Sequence, residues 1–529
     1  MSDAQLTLSS LYLRARSEFS DRRIVSIHQG RRHVYTYDEF FRRVDRLAWA
    51  LSGLGVGRGD RVGTMAWNHH RHLELYVAVT SVGAVLHTIN LRMAPQQALD
   101  VARRGGDVVL FVDGDVLTGL ADVDRPADPP MVVLREDDDT VDVPGALDYE
   151  DLVASSTAEP YAYPRLRESD PAAMAFSSAT TGQPKGVVYT HKGLYLHSMM
   201  LGLADTWALS ESDAVLPVVP MFHVNAWGLP FAALWFGSTI LLPGRRPSAD
   251  TVASLLQEAT FAAAVPTVWM DVFALAREQA VRFPRLRLVV SGGAALNASL
   301  LTEADELGVP LIHSYGMTEA SPVVLVNKLR STDEAALQKR VRQGYLVPGL
   351  EARVELPDGG LAPRDGATAG ELLLRGPWIV DGYVDDARTA DAFIDGWYHT
   401  GDMVTNDDQG AMKVVDRQAD LIKSGGEWIS SIELESALME HPAVTMAAVI
   451  GVPDDRWQER PKAFVVATAH VTAEELRGWL EARFPRFWVP DAIDLVPELP
   501  LTTVGKFDKR ALRRGDQSSP RLNQDSGNQ

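Results

Sequence analysis

Short apolar runs that end in small or polar residues recur along this chain, and stretches of helical spacing lie between them. This alternation limits the fold more than any other feature. Val108–Gly114, Ala262–Val268, Leu286–Gly293 and Val309–Gly316 read as buried strands leading into loops. Ala249–Ala259 and Ala298–Glu306 carry the apolar period of helices. Strand and helix in alternation build parallel sheets, with functional loops at the C-terminal strand ends. The expected fold class is α/β. Glu351–Leu356, Glu371–Arg375 and Met412–Val415 are short strands near PDG, RDG and DDQG turns, which predicts an added β-rich unit.

Beyond Asp416 the pattern restarts. Ser430–Met439 and Ala473–Phe484 read as helices, Met446–Val452 and Ala463–Ala467 as strands. The expected organisation is a large N-terminal domain over 1–416, a hinge at 417–420, a small mobile α+β domain over 421–515 and a disordered polar tail over 516–529.

Composition removes several function classes. Asp+Glu total 70 against 51 Lys+Arg, a net charge of −19, so the surface as a whole repels nucleic acid. There is no cysteine, which excludes disulfides, thiolate metal sites and cysteine nucleophiles. The N-terminal MSDAQLTLSS shows no signal peptide, and a cytoplasmic location is expected. Ala214–Gly244 holds no charged residue and is long enough to cross a bilayer. Pro217, Pro220, Pro230 and Pro243 cut it up, so a strand, a polar turn, a core helix and a second strand fit better. No transmembrane segment is expected.

Five local patterns carry chemistry. Phe176-Ser-Ser-Ala-Thr-Thr-Gly-Gln-Pro-Lys-Gly186 gathers hydroxyls, glycines and a lysine, a set able to wrap a polyphosphate. It lacks the Gly-Lys-Ser/Thr of a Walker loop, and a flexible surface loop is the bland alternative. His313-Ser-Tyr-Gly-Met-Thr-Glu319 follows a strand; Tyr315 offers a stacking face and Glu319 a hard oxygen for Mg²⁺ held mainly by phosphates. Trp397-Tyr-His-Thr-Gly-Asp402 places a carboxylate after a glycine turn, where it can accept ribose hydroxyls or merely cap a turn. Asp416-Arg-Gln-Ala-Asp-Leu-Ile-Lys-Ser-Gly-Gly426 and Leu501-Thr-Thr-Val-Gly-Lys506 complete the series.

In this order and spacing, the five resemble the acyl-adenylate-forming superfamily, from the Thr36-Tyr37 region to Leu512. The branch they most resemble is the medium- and long-chain fatty-acyl-CoA synthetases. Pro220-Met-Phe-His-Val-Asn-Ala-Trp-Gly-Leu-Pro230 and Lys423-Ser-Gly-Gly-Glu-Trp-Ile-Ser-Ser431 are typical of those enzymes, and Asn90-Leu-Arg92 and Gly451-Val-Pro-Asp-Asp-Arg-Trp457 also fit.

The resemblance implies an ATP- and Mg²⁺-dependent ligase that converts a hydrophobic carboxylic acid to acyl-AMP and passes the acyl group to coenzyme A. It places Ser177, Ser178, Thr180, Thr181, Gly182 and Lys185 on the phosphates, and Ser177 and Glu319 on Mg²⁺. Gly293, His313, Ser314 and Tyr315 would enclose adenine, Thr318 would contact the α-phosphate, and Asp402 and Arg417 would bind ribose. Lys506 would bridge carboxylate and phosphate; Thr318, Glu319 and His223 join it as catalytic residues. His223, Val224 and Trp227 would line the acyl and pantetheine tunnels, and Gly425, Gly426 and Trp428 the thioester-stage site. Val224, Lys423 and Trp428 are also expected to touch the nucleotide or coenzyme A. Lys506 and Gly425–Gly426 cannot both face one site, so two domain orientations follow from the resemblance.

Three positions depart from the superfamily pattern. Ala179 stands where relatives have glycine, Ala419 where the hinge is usually Asp or Lys, and His313-Ser314 where Gln or Asn-Gly is common. Asn68-His-His-Arg-His72 resembles a metal cluster, but solvated histidines at a helix start are the expectation. The tryptophans are expected mostly in the core or pocket walls. Two rival functions stand beside the ligase. One is a same-fold enzyme using an amine, a carrier protein or nitrite. The other is a non-catalytic acyl-nucleotide binding protein, against which Lys506, Glu319 and Asp402 together argue. A homodimer is compatible with the sequence.

Overall fold

The computed structural model describes residues 4–120, 129–141, 143–177, 184–328, 336–425, 427–502 and 507–518. Four sheets organise these residues. The largest has nine strands, and its centre is parallel: Arg23–His28, Thr239–Leu242, Ala214–Pro217, Phe261–Ala264, Leu288–Gly292 and Leu311–Gly316 lie side by side. A seven-stranded sheet is parallel until its last pair, where Pro171–Phe176 meets Gly186–Thr190 antiparallel. A five-stranded antiparallel sheet holds Gly370–Arg375, Trp397–Asn406 and Met412–Arg417. The fourth sheet belongs wholly to residues beyond 420, with Gln458–Ala467 at its centre.

The expected α/β class and the β-rich unit are therefore present. The central parallel strands carry runs of consecutive apolar residues, as strands with both faces covered do. Val289 and Val290 are each fully buried, as neighbours in such a strand must be. Helices start where a hydroxyl or amide can take an orphan N–H. Thr36 forms a capping box with Glu39, Asn297 accepts from Leu300 N–H at 2.8 Å, and Ser430 accepts from Glu433 N–H at 3.1 Å. The core clusters of the first three sheets use residues up to Val414, and those of the fourth use residues from Ile422 onward. No buried core cluster spans both sides among the described residues.

Several expectations need correction. The strand predicted over Ala262–Val268 ends at Ala264, and a helix begins at Pro266. Proline has the φ of a first helical turn and no N–H to lose there. The first residues of the predicted polar tail belong to the helix Lys509–Ser518, where Asp516 pairs with Lys462 at 2.6 Å; residues from 519 onward lie outside the described residues. The histidines of Asn68–His72 are buried, not solvated. His69 caps the His70–Ser81 helix, and its ring holds Asp113 at 2.8 Å; His72 Nε2 lies 3.0 Å from Thr64 Oγ1. Burial pushes His72 down to about 3, so it stays neutral in the core. Among the described residues no cluster of three or more His, Cys, Asp or Glu is arranged for a metal ion, and no helix is long and apolar enough to cross a membrane.

Ala214–Gly244 folds as strand, turn, helix and strand, as its prolines require. One feature of it was not visible in the sequence. Val224, Asn225, Ala226, Trp227 and Gly228 all take positive φ, between 44° and 77°. Left-handed backbone costs about 1–2 kcal/mol per non-glycine residue. The surrounding structure therefore has to impose this turn.

Candidate active site

The strand Leu311–Gly316 and the short turn Thr318–Ala320 carry the central residues. Tyr315 points its hydroxyl at Asp402 Oδ2 and donates a hydrogen bond to it. Asp402 lies directly opposite Arg417 in the ladder between Trp397–Asn406 and Met412–Arg417, and Arg417 Nε reaches Asp402 Oδ1 at 3.2 Å. Ladder register places this ion pair, because cross-strand partners bring their side chains to one spot. The Asp402 charge, against burial, raises Arg417 above its ordinary value. Burial and then Asp402 raise the Tyr315 hydroxyl, so it stays a donor. Thr400 Oγ1 accepts from Asp402 N–H at 3.0 Å, and Glu371 accepts from Gly401 N–H at 3.0 Å, which shapes the turn before the carboxylate.

A second group sits beside the first. Glu319 is 8% exposed and accepts from the Tyr383 hydroxyl at 2.9 Å. Lys185 Nζ lies 3.3 Å from the same hydroxyl and 4.3 Å from the Tyr383 ring centroid. Tyr189 hydroxyl donates to Thr318 O at 2.8 Å, and Val380 N–H to Glu319 O at 2.9 Å. Burial lowers Lys185 while Glu319 raises it, and Arg417 is near enough to push it down further. Arg417 and Tyr315 in turn feel Glu319. The two groups therefore line one site where three sheets converge.

Ser177 and Lys185 close the neck of the hydroxyl-rich loop. Ser177 N–H donates to Lys185 O at 2.8 Å, and Lys185 N–H to Ser177 Oγ at 3.2 Å. Ser178, Ala179, Thr180, Thr181, Gly182, Gly426 and Lys506 lie outside the described residues. Gly293 follows the strand Leu288–Gly292 with φ +80°, a conformation side chains disfavour. The Trp227 ring packs against this bend: a Cβ on Gly292 would lie 3.1 Å from it. Val224 is buried beside Trp227, and His223 precedes the left-handed turn with its N–H donating to Pro220 O at 3.0 Å.

His313 is 2% exposed, and its two ring nitrogens lie 2.9 Å from Val341 O and 3.2 Å from Ala294 O. Burial lowers it from its ordinary value. It thus braces the chain on both sides of its strand. Ser314 hydroxyl donates to Leu325 O at 2.9 Å. Lys423, Gly425 and Trp428 stand elsewhere, on the hairpin of Ile422–Ser424 and Glu427–Ile429 in the fourth sheet. Gly425 has φ +62° and donates to Trp457 O at 2.8 Å; Lys423 N–H donates to Glu459 at 3.0 Å. Trp428 and Trp457 are 51% and 41% exposed, so these two tryptophans lie outside the core.

Tyr383 was missed by sequence reasoning. It joins Lys185 to Glu319 from a turn with no motif of its own, and only the Gly382-Tyr383 pair hints at a tight loop.

The structure thus brings together Asp402, held by Tyr315 and Arg417, and Glu319, joined to Lys185 through Tyr383. The chain belongs to the AMP-binding enzyme family: that family matches residues 13–384, and the AMP-binding enzyme C-terminal domain matches 433–506. It is 41% identical to a long-chain-fatty-acid–CoA ligase of Thermus thermophilus, over 97% of this chain and 96% of that protein. It is 36% identical to a medium-chain-fatty-acid–CoA ligase of Ectopseudomonas oleovorans, over 96% of each. Its fold matches the crystal structure of an anthranilate CoA ligase in complex with anthranoyl-AMP with a TM-score of 0.86, at 25% identity, covering 97% of this chain and 99% of that one.

Proposed function

We propose that this chain is an ATP-dependent, AMP-forming acyl-CoA synthetase that takes a hydrophobic, fatty-type carboxylic acid. Relatives named as fatty-acid–CoA ligases over nearly the whole chain support the reaction class. The observation that carries it is the meeting of Lys185–Tyr383–Glu319 with Tyr315–Asp402–Arg417 in one site.

In this reading Asp402 accepts the ribose hydroxyls, with Arg417 holding its carboxylate in place. Gly293, His313, Ser314 and Tyr315 enclose adenine, and Thr318 meets the α-phosphate. Ser177, Ser178, Thr180, Thr181, Gly182 and Lys185 hold the outgoing pyrophosphate. The donor set suits Mg²⁺ carried in by the nucleotide: Glu319 and the Ser177 hydroxyl are hard oxygens, too few for a protein-only site. Such an ion would balance phosphate charge and polarise the α-phosphoryl group. The acid's carboxylate oxygen attacks the α-phosphorus and the bond to pyrophosphate breaks. Lys506 lies between the two anions at that moment, where a cation is worth most. The thiol of coenzyme A then attacks the acyl carbon, loses its proton and displaces AMP.

We further place a mobile domain at 421–515, turning on 417–420. It brings Lys506 to the first step, and Lys423, Gly425, Gly426 and Trp428 to the second. The separate core of the residues beyond Ile422 supports this division. The acyl tunnel runs past His223, Val224 and Trp227.

The deciding assay is pyrophosphate release over a panel of carboxylic acids, with and without coenzyme A. Each methylene buried adds about 0.8 kcal/mol, so apparent affinity should rise over several carbons and then level off. AMP and acyl-CoA should appear only when coenzyme A is present. A short polar acid exceeding every fatty acid would overturn the proposed substrate class.

A further inference from the structure

The C-terminal helix Lys509–Ser518 makes contacts that the reaction itself does not require. Lys509 is half-buried, with Nζ at 2.7 Å from Glu435 and 2.5 Å from Ser431 Oγ. Ser431 passes this contact on: its hydroxyl and its N–H both donate to Asp416 Oδ2, the N–H at 2.7 Å. One turn further along, Arg513 binds Asp420 at 2.9 Å. Asp416 immediately precedes the segment 417–420, and Asp420 ends it. Asp416 belongs to a strand of the antiparallel sheet, whereas Ser431, Glu435 and Lys509 belong to the unit with its own core.

The helix is firmly seated at its other contacts. Leu512 packs on Ala448, Ile450, Phe464 and Leu499, and Asp516 pairs with Lys462. Two cations one turn apart are thus fixed in one unit; Arg513 reaches directly the carboxylate that ends the connection, and Lys509 reaches through Ser431 the one that precedes it. Ala419, inside that connection, has no polar group to offer.

We propose that this helix is the clamp of the hinge: Lys509, through Ser431, and Arg513 hold Asp416 and Asp420, and so set the balance between the two half-reactions. The inference rests on the hinge reading given above. Rotation about 417–420 carries Ser431 and Lys509 away from Asp416, so each departure from this orientation breaks the relay. Lys509 and Arg513 are positioning residues, with no contact to the reacting atoms.

The test measures the two half-reactions separately: pyrophosphate exchange into ATP with acid alone, and thioester formation from supplied acyl-AMP and coenzyme A. Arg513→Ala and Asp420→Asn should each change the ratio of the two rates about two- to fivefold, in the same direction, as suits a partly exposed ion pair. The double variant should do no more than either single one. Arg513→Lys should restore most of the ratio. The amides of Asp420 and Leu421, which donate to Arg417 O, should exchange hydrogen faster in Arg513→Ala. A purely structural pair would lower both rates together and leave the ratio unchanged, which overturns the clamp. Ala419→Pro separates the two ideas. If it blocks one half-reaction while Arg513→Ala leaves the ratio untouched, the clamp alone falls. If it spares both half-reactions, the hinge reading falls and takes the clamp with it.

Discussion

At the residue scale, Tyr383 shows how much one hydroxyl can decide. It donates to Glu319 at 2.9 Å and meets Lys185 at 3.3 Å, so it spaces a buried anion from a cation that would otherwise collapse onto it. A direct Lys185–Glu319 pair would compete with phosphate and Mg²⁺ for both side chains. Tyr383→Phe removes a hydrogen bond to a charged group, worth about 1.5–3 kcal/mol. We expect kcat/KM for the adenylation step to fall about tenfold or more, with the Mg²⁺ requirement shifted upward and the fold intact. Initial rates across a Mg²⁺ series check this; an unchanged Mg²⁺ dependence would show that the tyrosine only packs.

At the scale of elements, the left-handed turn Val224–Gly228 links two parts of the site. His197 lies against it: a Cβ on Gly228, whose φ is +77°, would sit 2.7 Å from the His197 ring. The other nitrogen of that ring accepts from Val323 N–H at 3.3 Å, just beyond the turn carrying Glu319. Burial pushes His197 down to about 3, so it is neutral and able to accept. Gly228→Ala should therefore act twice, by imposing a side chain on positive φ and by displacing His197. We expect a loss of at least about 1 kcal/mol in urea unfolding, together with reduced adenylation. Parent-like stability would mean that the turn relaxes freely and stores no strain.

At the scale of the whole molecule, the joint between the two units carries buried charge. Burial pushes the Glu435 carboxyl up to about 7, against the pull of Lys509. In the unfolded chain a glutamate titrates near about 4.3. Between those values the native state holds a proton that the unfolded chain has lost, so the Glu435 contribution to stability falls as pH rises through that window. Asp416, also raised by burial, acts in the same direction. Lys509 is raised and loses its proton only well above the window. Urea midpoints of the parent, taken relative to Glu435→Gln, should thus be most favourable near pH 5 and decline toward pH 8. A relative midpoint that stays flat over that range would show Glu435 to be charged throughout.

The sequence alone determined the strand–helix alternation and the restart after Asp416, and it supplied most of the residues proposed for the site. Each of these is written in local pattern: apolar period, turn residues, and polar groups at the ends of strands. Tyr315, Glu319 and Asp402 were legible near a strand end or a glycine turn, and Arg417 through the family resemblance. What remained hidden depends on partners far away in the chain. Tyr383 meets Lys185 from 198 residues away, and His197 meets Val323 from 126. The buried histidines of Asn68–His72 looked exposed because nothing nearby in sequence announces Asp113. The positive φ run at Val224–Gly228 contradicts its local propensity and persists only because packing overrides it. Tertiary structure decided these, since the burial that sets a side chain's charge or a backbone's strain is a property of what surrounds it, not of its neighbours along the chain.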